Sequence, residues 1–188
     1  MPPLILASAS PRRTELLRQL APDFQIVPSD AVEIFDDQLS PWELCQLNAH
    51  RKARVIAKKH SDALVMGADT LVFLDDEIMG KPADLAEARR MLSRLQGRTH
   101  QVVTGVCLIH LRAHRENIFA VSTDVTFHRL PAGKINDYLA RMNPLDKAGA
   151  YAIQEHGDMI VAGISGSFSN VVGLPVEEVG EALAAWTV

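Results

Sequence analysis

Two long β-rich runs, residues 100–111 and 117–129, follow each other with only a short polar connection between them. In the second run Phe119, Val121, Thr123, Val125 and Phe127 alternate with a period of two, the pattern of a half-exposed antiparallel strand. Two such neighbours pair directly, whereas upstream of them strands and helices take turns. Residues 4–8 read as a short buried strand. Ser10-Pro11 then supplies an N-cap with proline at the first helical position, for a helix reaching about residue 20 with Leu16, Leu17 and Leu20 on one face. An edge strand is expected at 24–28, a polar loop at 33–38, and a helix of about 20 residues from Ser40-Pro41, with Ala49, Ala53, Ile56 and Ala57 at helical spacing. A strand at 64–67 and a second apolar run at 70–74 lead through a hairpin turn at Asp75-Asp76 to Ile78-Met79. Asp84 and Glu87 form a capping-box pattern for a helix that stops at Gly97. Beyond the paired runs we expect a short helix at 132–142, strands at 151–154 and 159–162, a Gly/Ser loop at 165–175 and a final helix at 176–186. Alternation followed by direct pairing implies an α/β fold with a mixed sheet. No repeat or long linker interrupts the chain, so residues 1–188 read as one domain.

Charge limits the partners. The net charge of −4 argues against a broad nucleic-acid surface but not against a small anionic ligand in a local basic site. The last base is Lys147; five acids follow it, leaving the first 147 residues at about +1. No apolar run reaches the roughly 18 residues of a membrane span, and the N-terminus lacks the pattern of a secretory signal, so a cytoplasmic protein without membrane partners is expected. Cys45 and Cys107 are too few for a disulfide scaffold or a cysteine zinc site and read as small buried apolar residues.

Several segments carry chemistry. Ser8, Ser10, Arg12 and Arg13 surround the junction between a strand and a helix start. Cations there oppose the helix dipole, a placement that makes sense if backbone N–H groups, hydroxyls and guanidinium forks converge on a bound phosphate; two surface arginines are the plain alternative. The stretch from His50 to Lys59 contains Lys52 and no acid; such a run is usually a solvated helix face, and its spacing does not single out one cation for a polyphosphate. Asp69, followed by Thr70, sits where the first apolar strand is expected to end, a place where α/β proteins build sites, although turn aspartates are common. Glu33 is the natural second carboxylate, and such a pair can hold Mg²⁺ and position water. Lys81, in Gly-Lys-Pro, can contact phosphate or serve as a turn lysine. The small residues 148–150 suggest a close approach to the backbone, and Gln154 offers an amide able to read a pyrimidine edge. The seven histidines form no metal motif; His100 and His110 read as packing or surface residues.

The order of these segments resembles the Maf family of septum-formation inhibitor or Maf-like nucleotide pyrophosphatases. The matching stretches are Leu6-Ala-Ser-Ala-Ser-Pro-Arg-Arg13, Glu33, Lys52-Ala53, Gly67-Ala-Asp-Thr70, Gly80-Lys-Pro82, Gly97-Arg-Thr-His100, Val103-Thr-Gly-Val106, Asp146-Lys-Ala-Gly-Ala-Tyr151 with Ile153-Gln154, and Ser169-Asn-Val-Val-Gly-Leu-Pro175. The resemblance implies a fold like inosine triphosphate pyrophosphatases: a mixed twisted sheet flanked by helices, with two lobes around a deep cleft. It implies hydrolysis of a nucleoside triphosphate to the monophosphate and pyrophosphate with Mg²⁺ or Mn²⁺, and a homodimer. It makes Asp69 the proton acceptor, with Glu33, Lys52 and Lys81 as catalytic residues, Glu33 and Asp69 as metal ligands, and Ser8, Arg12, Arg13, Thr70 and Gln154 as substrate-binding residues. Arg12, Thr70 and Gln154 fall where the dTTP/UTP branch carries its selectivity residues. Ala152 and Glu155 depart from the family pattern, which often has glycine at both places. The competing expectations are the sister branch acting on 7-methyl-GTP, and a non-catalytic regulator of septum formation that binds nucleotide or nucleic acid.

Overall fold

The computed structural model describes residues 2–36, 38–75 and 77–186. Asp37 of the expected polar loop and Asp76 of the expected turn lie outside the described residues. Among the described residues seven strands form one sheet: β1 (Leu4–Leu6), β2 (Gln25–Ile26), β3 (Leu64–Leu74), β4 (Glu77–Met79), β5 (Thr99–His110), β6 (Arg115–Phe127) and β7 (Val161–Ser165). Their order is β2-β1-β3-β5-β6-β7, with β4 paired to β3. β1 runs parallel to both β2 and β3, whereas β4 is antiparallel to β3 and β7 to β6. The sheet is therefore mixed, as the change from alternation to direct pairing requires. The helices are α1 (Pro11–Arg18), α2 (Pro41–Ala57), α3 (Leu85–Leu95), α4 (Ala132–Leu139), α5 (Phe168–Val172) and α6 (Val176–Ala184).

The helix starts follow their sequence signals. Ser10 caps α1 with Pro11 in its first turn, and Ser40 with Glu43 closes a reciprocal capping box on α2. Asp84 caps α3 by accepting from the Glu87 N–H, and Gly97, at φ +67°, turns the chain away after it.

Contacts divide the chain into two compact units. The first comprises the described residues of Met1–Thr70, Thr104–Val121 and Gly173–Val188. Its core joins Ile5, Val65, Cys107 and Ile109 to the small face of α2, Ala49, Ala53 and Ala57. The second comprises those of Leu71–Val103 and Ser122–Val172, around Leu92, Leu95, Val125, Phe127, Tyr138 and Tyr151. Both cysteines are buried, and burial pushes the Cys107 thiol up to about 12.

Several expected elements differ. Residues 64–74 form one unbroken strand, so Asp69 is mid-strand rather than at a strand end. Residues 151–154 are not a strand: the Tyr138 hydroxyl takes both backbone groups of Ala152, accepting from its N–H at 3.1 Å and donating to its carbonyl at 3.2 Å, in place of a neighbouring strand. Strand β7 begins at Val161, after a 3-10 turn at Gly157–Met159, not at 159. The supposed loop at 165–175 contains α5, whose start is secured by the Ser167 hydroxyl accepting from the Asn170 N–H at 3.2 Å.

Candidate active site

The first unit gathers most of the residues singled out in the sequence. Helix α2 reaches them because its backbone comes close to the sheet at two glycines. A Cβ on Gly67 of β3 would sit 2.3 Å from the Ala49 carbonyl oxygen, and one on Gly105 of β5 would sit 2.3 Å from the Cys45 carbonyl carbon. These contacts are possible only without a side chain. On that helix Asn48 and Lys52 are four residues apart and therefore share a face.

Lys52 Nζ lies 2.6 Å from Asp69 Oδ1 and 2.6 Å from Glu33 Oε1, donating to both. Side-chain exposure rises from 5% at Asp69 through 13% at Lys52 to 31% at Glu33, so the trio runs from core to surface. Asp69 is tolerated mid-strand because its second oxygen, Oδ2, accepts from Asn48 Nδ2 at 3.1 Å. Burying a carboxylate costs least where a cation and hydrogen bonds meet both oxygens. Asn48 also binds the segment that carries Glu33: its Oδ1 accepts from the Ile34 N–H at 2.8 Å, and its Nδ2 donates to the Ile34 carbonyl at 3.0 Å. Arg51 Nε donates to the Val32 carbonyl at 3.3 Å.

A second cluster forms where β1 gives way to α1. Arg13 Nε donates to the Gly173 carbonyl at 2.9 Å, Nη2 to Thr70 Oγ1 at 3.0 Å, and Nη1 to Ser8 Oγ at 3.4 Å. Gly173 stands at φ +129°, in a region that favours glycine. Thr70 Oγ1 shares a hydrogen bond of 2.9 Å with Thr104 Oγ1 on β5. Burial lowers the Arg13 pKa, with Asp69 and Glu33 pulling the other way. Arg13 is thus no loose surface arginine, and Arg12 is half-buried beside it in the first turn of α1.

Lys81 and Gln154 belong to the second unit. Lys81 is exposed in the connection between β4 and α3, and Gln154 is exposed in the turn after Tyr151. Nearby, Lys147 Nζ donates to the Asn143 carbonyl and to Asp146 Oδ1, both at 2.9 Å, and lies 3.3 Å from Glu155 Oε1. Glu155, the departure noted in the sequence, therefore serves as a counter-ion. The close approach expected at 148–150 is made by the chain itself: a Cβ on Gly149 would meet Val72 Cγ1 at 3.2 Å.

Sequence reasoning missed Asn48 and gave no role to Thr104 or Gly173, which lie in the quoted stretches 103–106 and 169–175. Asn48 had one signal, a polar residue beside the Ala49–Ala53 stripe and four before Lys52. Among the described residues no group of three or more His, Cys, Asp or Glu side chains could hold a metal ion. Glu33 and Asp69 do fit a smaller role. Their hard oxygens already converge on one cation, the Lys52 ammonium, and Mg²⁺ commonly takes one or two carboxylates and completes its shell with substrate phosphate and water.

Residues 3–186 match the family model described as Maf-like protein. A protein of Akkermansia muciniphila named dTTP/UTP pyrophosphatase is 46% identical over 97% of this chain and 96% of its own length. A protein of the same name from Moorella thermoacetica is 47% identical over 100% of this chain and 97% of its own. Another, from Clostridioides difficile, is 43% identical over 96% and 93%. Among solved structures, the Staphylococcus aureus Ham1 protein superposes with a TM-score of 0.58 over 97% of this chain and 98% of that one, at 15% identity, a likeness of fold.

Proposed function

Because the chain belongs to the family of Maf-like proteins, we propose that it hydrolyses dTTP and UTP to the nucleoside monophosphate and pyrophosphate. The observation that carries this reading is the bridge from the Lys52 ammonium to the nearly buried Asp69 and the more exposed Glu33. It sets a carboxylate base beside a fixed positive charge and a second acid. Asp69 accepts the proton of the attacking water, and the leaving pyrophosphate takes the bridging oxygen of the broken anhydride. Lys52 holds Asp69 and Glu33 in place and places positive charge near the reacting phosphates. A divalent metal, Mg²⁺ or Mn²⁺, would be held by Glu33 and Asp69 and would offset phosphate charge. Ser8, Arg12 and Arg13 sit at the start of α1, where hydroxyls and guanidinium groups suit phosphate oxygens. The roles of Lys81 toward phosphate and of Arg12, Thr70 and Gln154 in selecting a pyrimidine rest on the resemblance of their motifs. A cytoplasmic homodimer is proposed on the same ground; no helix among the described residues is long and apolar enough to cross a membrane.

The test is a panel of nucleoside triphosphates with released pyrophosphate as the readout, run on the protein and its Asp69→Asn variant. We expect dTTP and UTP to lead the panel, and the variant to lose about 10²- to 10⁴-fold in kcat with its circular dichroism unchanged. A preference for purine triphosphates would overturn the choice of substrate, and near-normal turnover by the variant the role of Asp69.

A further inference from the structure

Glu33 and Asp69 are 36 residues apart in sequence, and Glu33 lies in a segment with no regular secondary structure. Its place is set by α2. Three side chains of that helix, Asn48, Arg51 and Lys52, bond respectively to Ile34, Val32 and Glu33, so the residues on both sides of Glu33 are held as well as Glu33 itself. Like Lys52, Asn48 reaches both carboxylate-bearing segments, but it does so through the Ile34 backbone and the second oxygen of Asp69. It is almost fully buried, accepts from the Ile34 N–H, and divides its two amide hydrogens between the Ile34 carbonyl and Asp69 Oδ2. Each polar atom of its side chain is committed. The amide orientation follows from this network, since Oδ1 faces an N–H and Nδ2 faces two acceptors.

We propose that Asn48 is a positioning residue for hydrolysis, orienting the Asp69 carboxylate and setting the Glu33 segment against it through one amide. This rests on the reading of Asp69 as the base. A carboxylate held by Lys52 alone can pivot about that single bond; the donation to Oδ2 fixes its plane. Misplacing a reacting group by about 1 Å can cost about 10²-fold in rate. Asn48 touches no substrate in this scheme, so its loss acts on kcat rather than on KM.

Two variants separate its bonds. Asn48→Leu, of similar volume, removes all of them. Asn48→Asp keeps an acceptor for the Ile34 N–H but replaces the donor to Asp69 with a second carboxylate oxygen. We expect both to lower kcat for dTTP by about 10- to 100-fold with KM within about threefold of the parent. Hydrogen exchange of the Ile34 amide gives a readout independent of turnover: protection is expected in the parent and in Asn48→Asp, and loss of protection in Asn48→Leu. A kcat within twofold of the parent in Asn48→Asp, or a loss carried by KM alone, would overturn the proposal. So would an Ile34 amide equally protected in Asn48→Leu. If the parent hydrolyses no triphosphate, it is the assignment of activity that fails, and the exchange measurement still decides whether Asn48 holds the segment.

Discussion

At the scale of single residues, two buried polar groups show what environment does to chemistry. Asp69 is kept useful by partners, a cation on one oxygen and an amide on the other. His100 is kept neutral by burial. Its Nε2 lies 2.8 Å from the Tyr151 hydroxyl, its Nδ1 has no hydrogen-bond partner among the described residues, and Phe127 and Tyr151 pack edge-on against the ring. Burial lowers its pKa from 6.5 to about 4. The unfolded chain therefore takes up the proton more readily than the folded one. The contribution is present in full above pH 6.5 and is lost as the pH falls toward about 4, a change of about 3 kcal/mol. His100→Gln should flatten the decline in stability over that range, measured by urea unfolding at several pH values; an unchanged decline would show that His100 does not cause it. Of the two sequence readings of His100, packing or surface, the fold selects packing, but with one ring nitrogen unsatisfied among the described residues.

At the scale of elements, the decisive contact is α2 against the sheet. Helical spacing of Ala49, Ala53 and Ala57 was visible in the sequence and located the buried face of α2 correctly. What it packs against was not, because the complementary glycines lie on β3 and β5, far along the chain. Gly67→Ala would drive a methyl to 2.3 Å from the Ala49 carbonyl oxygen and 2.7 Å from the Ala53 nitrogen. Neither atom can yield without moving the helix, so we expect a loss of about 3 kcal/mol or more, together with displacement of Asn48 and Lys52 from Asp69. Thermal unfolding and dTTP turnover measured together check this: both should fall. The β3 reading failed for a related reason. Asp69-Thr70 looks like the end of an apolar run, yet the strand continues because tertiary partners satisfy both side chains.

At the scale of the whole molecule, β3, β5 and β6 each contribute residues to both compact units. Neither unit can lose its strands without opening elements that continue into the other. Leu92→Ala, a fully buried change in the second unit, should cost about 2–5 kcal/mol. It should also lower a single unfolding midpoint reported by Trp42 and Trp186, both in the first unit. A fluorescence midpoint unchanged while circular dichroism shifts would show separate unfolding. The sequence by itself determined the mixed α/β class and the three capped helix starts, because periodicity and capping are local; Asp69, Lys52, Glu33 and Arg13 were candidates through the order of their motifs. Only the tertiary structure decided which cation meets which carboxylate, that Asn48 and Thr104 bond to Asp69 and Thr70, and that 151–154 is not a strand. Those outcomes depend on partners tens of residues away, and a buried polar group acquires its meaning from the atom it faces.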